Sequence, residues 1–478
     1  MTKLIKKLNF INVLKPEIIA VSLILIFGIV FIFLIKPLQV PDESHQFLRA
    51  YELSDGQLFS SKNTKKGCVL GGGQISHQKK QFQNFLPTSV VSFITQNRNN
   101  YNEHILLNSN LNPSKLTSVC STQTELNSPI GYVPQVIAIL ILRIINAPPI
   151  IMDYFARLFI LIAWTIIIYF AIKIIPVRKW TITAIALLPI AIQQSISISP
   201  DALTTSLTAL LAAYIIRSYY QNREKHFTKD LIIITILSSL ATLSKPVAIA
   251  TIVLIPFYFL NTVNKTQRKK IILLKIVAML IPLISYLMWS FLMASHNISI
   301  NETFILSYQK SQFFKSSQFN EFKLFLRDAK NYLLYGVYFS QFGSFEWFSK
   351  SFPHVFDYLG IAGLTIILLV SYESKKTLNI IKDKQTHLLN FGIFVSATGV
   401  FVATLFSLFI IWTPINSMLI EGIQFRYFLP ILMILATINN TKFLKSSSKW
   451  YRNFIITYVL IFFIISALTL SGVIKTVS

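Results

Sequence analysis

Ile18–Ile35 reads IIAVSLILIFGIVFIFLI, and Lys36–Tyr51, which follows, reads KPLQVPDESHQFLRAY. The first stretch is 18 residues without a single charge, enough as helix to cross most of the roughly 30 Å of a bilayer's hydrocarbon. It is longer than a signal-peptide core and has no small-residue cleavage site before Pro41, so it is expected to stay as an anchor. Tyr154–Ile175 and Phe454–Leu470 are apolar runs of the same kind. Across all 478 residues 53% are hydrophobic and 13% charged, about half the charged share of a soluble protein. Such a chain could not cover its own surface in water. Length alone would suggest about three soluble domains; the apolar runs instead predict one polytopic, all-α membrane domain over residues 1–478.

The net charge of +25 could suggest nucleic acid in a soluble protein. Here the cations sit in short clusters between apolar runs, with no basic helix face and no aromatic-basic interleaving, so no nucleic-acid partner is expected. Six clusters stand out, around Lys6, Arg178, Arg223, Lys269, Lys376 and Lys445. The positive-inside rule puts all six in the cytoplasm. One assignment satisfies it, with eleven spans at about 17–37, 152–174, 180–198, 201–219, 231–244, 247–262, 271–294, 356–372, 388–411, 422–439 and 453–474. It predicts a cytoplasmic N-terminus and an extracytoplasmic C-terminus.

Tyr132–Ile145 is apolar but short and is bounded by Pro134, Arg143 and Pro148-Pro149. Made to cross, it would put every later basic cluster outside, so it reads as an outer juxtamembrane or re-entrant helix. Residues 41–151 and 295–355 are then the two large outer loops. Cys68 and Cys120 share the first of them, where a disulfide and two free thiols both fit. Gly71-Gly72-Gly73 lacks the spacing of a phosphate loop and reads as a turn. The aromatic segment Tyr335–Trp347 reads as an interfacial belt by default, with a sugar-stacking platform as the alternative.

Charges at the ends of membrane spans are costly and therefore point to function. Pro41-Asp42-Glu43-Ser44-His45 lies just beyond the first span, and Pro41 can end that helix. Asp42, Glu43 and His45 supply a base, a second acceptor and a donor within one turn; the plainer reading is that Asp42 caps the helix that follows. Asp201, after Ser199-Pro200, also fits a cap and falls on the same predicted membrane face. The cations on that face are Arg157, Lys245 and Arg426, each suited to a lipid phosphate or to snorkelling towards headgroups. Nothing in the sequence requires a cofactor, and no histidine has metal-ligand spacing. A divalent cation beside Asp42 and Glu43 is compatible with the residues present.

The chain resembles the DUF2142 family of bacterial polytopic membrane proteins. The resemblance runs through Pro41-Asp42-Glu43 with Phe47, Arg49, Ala50 and Tyr51, then Gly71–Gly73, Tyr132 with Pro134, Ser199–Leu203, Lys245-Pro246 and Arg426–Pro430. That family is similar to the GT-C glycosyltransferases, in which protein O-mannosyltransferases carry a comparable Asp-Glu-x-His-Phe after their first span. Here Asp42, Glu43 and His45 match in register and the phenylalanine is displaced by one. The resemblance implies a bacterial plasma-membrane enzyme using a polyprenyl-phosphate sugar as donor and a cell-surface glycan or teichoic-type polymer as acceptor. Asp42 and Glu43 would be catalytic, while His45, Arg49 and Asp201 would orient donor or acceptor. Arg426, Lys245 and Arg157 would bind the lipid phosphate. Two alternatives are a transporter or flippase of lipid-linked saccharides, and a non-catalytic partner in envelope-polysaccharide assembly.

Overall fold

Pro16 opens the first helix, α1 (Pro16–Leu34), where its missing N–H costs no hydrogen bond. Lys36-Pro37 ends it, and the chain turns through Leu38 and Asp42 into α2 (Glu43–Ser54). The computed structural model describes residues 15–59, 61–62, 68–69, 75–76, 82–95, 102–120, 123–221, 226–258, 265–295, 318–331, 354–371, 385–411, 413, 419–438, 444–445 and 448–471. Gly71–Gly73, Tyr335–Trp347 and most of the second predicted outer loop lie outside them.

The first predicted outer loop contains an element absent from the all-α expectation: a five-stranded sheet in the order β1 (Ser61–Lys62), β4 (Phe82–Pro87), β5 (Leu116–Cys120), β2 (Cys68–Val69) and β3 (Ile75–Ser76). Only the antiparallel β4–β5 pair is long, with Asn84 opposite Val119 and Phe85 opposite Ser118. Three strands are two residues long, too short to leave an alternating pattern. Cys120 is disulfide-bonded. α3 (Thr88–Ile94) packs on the sheet, and α4 (Glu103–Leu107) packs on the helix Pro149–Ile174. After them comes α5 (Val133–Ile144), at about 18 Å too short to cross a bilayer. Phe47, Tyr51, Phe93, Ile139 and Leu142 share the buried core of this region.

The larger core is built by α6 (Pro149–Ile174), α7 (Lys179–Ala186), α8 (Pro189–Ser195), α9 (Pro200–Gln221), α10 (Phe227–Ser244) and α1, joined by later helices. Gly28 of α1 is needed there, since a Cβ would fall 2.5 Å from Leu161. The later helices are α11 (Lys265–Ser295), α12 (Gln318–Asn331), α13 (His354–Leu369), α14 (Gln385–Ile411), α15 (Leu429–Leu435) and α16 (Ser448–Leu470).

Six of the described helices are long and apolar enough to span a membrane, or seven if α8 and α9, bent by 113° at their junction, form one span. A polytopic helical protein is therefore what the fold shows, and a count of eleven is not confirmed. Proline accounts for part of the difference, and the helix His354–Leu369, at 16 residues, is short without one. Pro189 splits 180–198 into two short helices, Pro246–Phe257 is a 3₁₀ segment containing Pro256, and Pro430 starts a helix of only 7 residues. Hydropathy counts these as spans because it reads apolarity and not the length of unbroken helix.

Candidate functional site

Asp42 occupies the N-cap position of α2, yet its side chain makes no capping hydrogen bond and its backbone is left-handed, with φ 61°. A non-glycine residue keeps that conformation only where its surroundings hold it. Two sets of ion pairs meet at the turn.

The first centres on Arg157. Arg157 of α6 donates to Glu43 through Nε (2.9 Å) and Nη2 (2.5 Å), and to the carbonyls of Ile35 (2.6 Å) and Lys36 (3.0 Å). Its Nε is also 3.0 Å from Asp153. The Glu43 carboxylate accepts from the Val40 amide at 3.2 Å. Glu43, Asp153 and Arg157 side chains are fully buried. The structure therefore places Glu43 and Arg157 in a sealed brace that fixes the α1–α2 turn. Arg157 has no free face for a lipid phosphate.

The second set strings together four residues distant in sequence. Arg426, in the 3₁₀ turn Phe425–Phe428, contacts Asp42 Oδ2 through Nη2 (2.7 Å) and the Pro41 carbonyl through Nη1 (3.3 Å). Its Nε lies 3.9 Å from Asp201 Oδ2, and Asp201 Oδ1 pairs with Lys245. Asp201, at the start of α9, is thus an ion-pair partner as well as a first-turn acid. The middle of the chain is shielded, with Arg426 3% and Asp201 12% exposed, while the ends are open, Asp42 at 35% and Lys245 at 28%. Lys245 also sits 4.4 Å from the centre of the Tyr427 ring.

His45 stands one turn into α2, largely buried, with Nδ1 lacking a hydrogen-bond partner. Burial lowers its pKa and the nearby Asp42 partly offsets this, which leaves a neutral imidazole at pH 7. Arg49 is not with the others. Fully buried, it pairs loosely with Glu52 (3.7 Å) and donates to the Leu58 carbonyl (3.2 Å), tying α2 to the loop that follows.

Several neighbours were given no site role in the sequence reading. Tyr132 bridges Gln46 of α2 and Asn127 through its hydroxyl. Next to it, Gly131 packs so tightly on Pro200 that a Cβ would lie 2.5 Å from it, which docks α2's partner loop onto the start of α9. Behind Asp201, Gln193 and Gln194 are fully buried and none of their four side-chain polar atoms has a partner. The same holds for Oε1 of Gln135 and the hydroxyls of Ser197, Ser199 and Ser244. The signal for these was present: paired glutamines followed by serines in an otherwise apolar run. No group of three or more His, Cys, Asp or Glu placed to hold a metal occurs among the described residues.

Fold and site together define a polytopic helical membrane protein with an open-ended chain of ion pairs at one end of its helices. The family model of the predicted membrane proteins DUF2142 matches residues 25–435, a stretch that includes every member of that ion-pair chain, and the protein belongs to this family. No curated protein and no solved structure matches it.

Proposed function

We propose that the protein is a GT-C-like glycosyltransferase of a bacterial plasma membrane. It moves a sugar from a polyprenyl-phosphate donor to a cell-surface glycan or teichoic-type acceptor on the extracytoplasmic face. The observation that supports this best is the convergence of Asp42, Arg426, Asp201 and Lys245, from four separate segments, into one chain with an exposed acid at one end and an exposed cation at the other.

Asp42 accepts the acceptor hydroxyl's proton as that oxygen bonds to the anomeric carbon. The bond from that carbon to the phosphate oxygen breaks, and the electron pair leaves with the polyprenyl phosphate, inverting the configuration. Lys245 and Arg426 neutralise the charge that develops on the leaving phosphate. Asp201 holds both cations in place, and the neutral His45 orients the acceptor. Glu43 and Arg157 position Asp42 without touching substrate.

A transporter of lipid-linked saccharides is the second reading, favoured by the 113° break between α8 and α9 beside Gln193 and Gln194. The test compares surface-glycan composition in a deletion strain complemented with wild type or Asp42→Asn at equal membrane abundance. Loss of a sugar that only wild type restores supports transfer. Full restoration by Asp42→Asn overturns it in favour of transport or an assembly role.

A further inference from the structure

Phe425-Arg426-Tyr427-Phe428 makes a single 3₁₀ turn, and three residues per turn put Phe425 and Phe428 on one face. That face is the anchored one. Phe428 packs against Phe401 of α14 with ring centres 5.7 Å apart, Phe425 meets Phe428 edge-on at 6.2 Å, and both pack on the larger core. Arg426 and Tyr427 are left for the other faces, and the backbone N–H of Tyr427 donates to the Gln424 carbonyl (3.1 Å), which fixes the turn. Consecutive helical residues ordinarily point apart. Here they come back together: the Arg426 guanidinium lies 5.2 Å from the centre of the Tyr427 ring, and its Nη2 donates to the Tyr427 hydroxyl (3.4 Å).

The same ring receives a second cation. Lys245 reaches it from the joint between α10 and the 3₁₀ segment Pro246–Phe257, with Nζ 4.4 Å from the ring centre. Pro246 restricts Lys245 to the extended backbone it adopts, φ −149° and ψ 123°, so the side chain starts from a fixed point. Lys245 and Arg426 carry like charges and share one carboxylate, Asp201, through its two oxygens. An aromatic face suits such a crowded pair, because it presents negative potential to a cation without carrying a charge of its own. The Lys245 side chain is 28% exposed, so a dissolved anion can compete with Asp201 for it, whereas an anion does not compete for the ring.

Resting on the ion-pair chain and not on the transfer reaction, we propose that Tyr427 is a positioning residue: its ring pins the Lys245 ammonium beside Arg426, so that the cation keeps its place while its anionic partner changes. The test uses purified full-length protein and sulfosuccinimidyl acetate, a water-soluble acylating probe. The acetylation rate of Lys245 is read by peptide mass spectrometry against that of the exposed Lys115; it measures how often the amine leaves the ring and the carboxylate for water. Tyr427→Leu, which removes the ring, is expected to speed Lys245 about two- to fivefold relative to Lys115, the Boltzmann factor of a partly exposed cation–ring contact. Tyr427→Phe keeps the ring and loses only the hydroxyl, and is expected to match wild type. With Asp201→Asn already in place the effect of Tyr427→Leu should grow, since the ring then holds the ammonium without its carboxylate. Tyr427→Met repeats the comparison if the leucine variant melts early.

An unchanged Lys245 rate in the folded ring-free variants would overturn the proposal. So would a phenylalanine variant as fast as the leucine one, because the hydroxyl would then be doing the holding. The proposal and the transferase reading fail separately. A ring-dependent Lys245 in a protein whose deletion leaves surface glycans unchanged removes the transferase and keeps the positioning role. Established transfer with a Lys245 indifferent to the ring does the reverse.

Discussion

Asp42 and Glu43 are consecutive residues, each paired with an arginine from a distant segment, and the two pairs differ in access to solvent. Across the left-handed turn at Asp42 the two side chains pair with different arginines, Asp42 with Arg426 and Glu43 with Arg157. Glu43, Arg157 and Asp153 are fully enclosed, and the remaining hydrogen bonds of Glu43 and Arg157 go to the backbone of the α1–α2 turn. Asp42 is one-third exposed and its chain ends in a partly exposed lysine. A sealed pair cannot exchange partners with a ligand, because separating it leaves a charge in a medium that cannot solvate it. An open-ended chain can do so at its termini while its shielded middle holds the geometry. The same pairing chemistry therefore yields scaffold on one side of the peptide bond and a candidate site on the other.

The comparison breaks most directly at Asp42. Asp42→Asn is expected to lower sugar transfer about 10²–10⁴-fold, the usual worth of a general base, with thermal stability little changed because the lost pair is partly exposed. Transfer would be read from complemented cells and stability from the melting of purified protein. Arg157→Met should give the opposite pattern. Removing one partner of a buried pair typically costs about 3–5 kcal/mol, to be seen as a lower melting midpoint and reduced membrane abundance. Adding Glu43→Gln should recover part of that loss, since the second change removes the orphaned charge. If Arg157→Met melts normally, the brace is not what holds the turn.

This contrast was only partly legible in the sequence. Acids and cations at the ends of apolar runs are rare enough that Asp42, Asp201, Lys245 and Arg426 stood out, and the structure brings these four together. Arg157 stood out for the same reason, but its burial depends on a partner 114 positions away, which no local pattern reveals. The left-handed turn was hidden because an aspartate, not a glycine, adopts it. The count of eleven is not confirmed, in part because Pro189 and Pro256 leave hydropathy intact while interrupting the helices. The sheet was missed because most of its strands are two residues long.

A smaller effect tests the middle of the open chain. Asp201→Asn would leave Lys245 and Arg426 without their shared anion and is expected to cost about tenfold in transfer, in line with a charged hydrogen bond. The loss should fall mainly on donor KM. If it fell on kcat alone, Asp201 would act on the reacting atoms and not through the cations.

The least disruptive test concerns the link between α2 and the sheet, where an enclosed cluster is again the point. Glu52 is buried, and Asn84 of β4 donates to both Glu52 (2.7 Å) and Glu125 (3.3 Å). Burial, then repulsion from Glu125, pushes the Glu52 pKa up to about 8, with Arg49 opposing. An acid whose folded pKa is raised binds its proton more tightly in the folded state. Its contribution to stability is complete below its ordinary value of 4.5 and is lost as pH rises to about 8. Wild type should therefore melt lower at pH 8 than at pH 5, and Glu52→Gln, a permanently neutral isostere, should flatten that difference by raising the midpoint at pH 8. A variant that lost stability equally at both pH values would show that Arg49 needs the charge, making Glu52 a second sealed pair of the Glu43 kind.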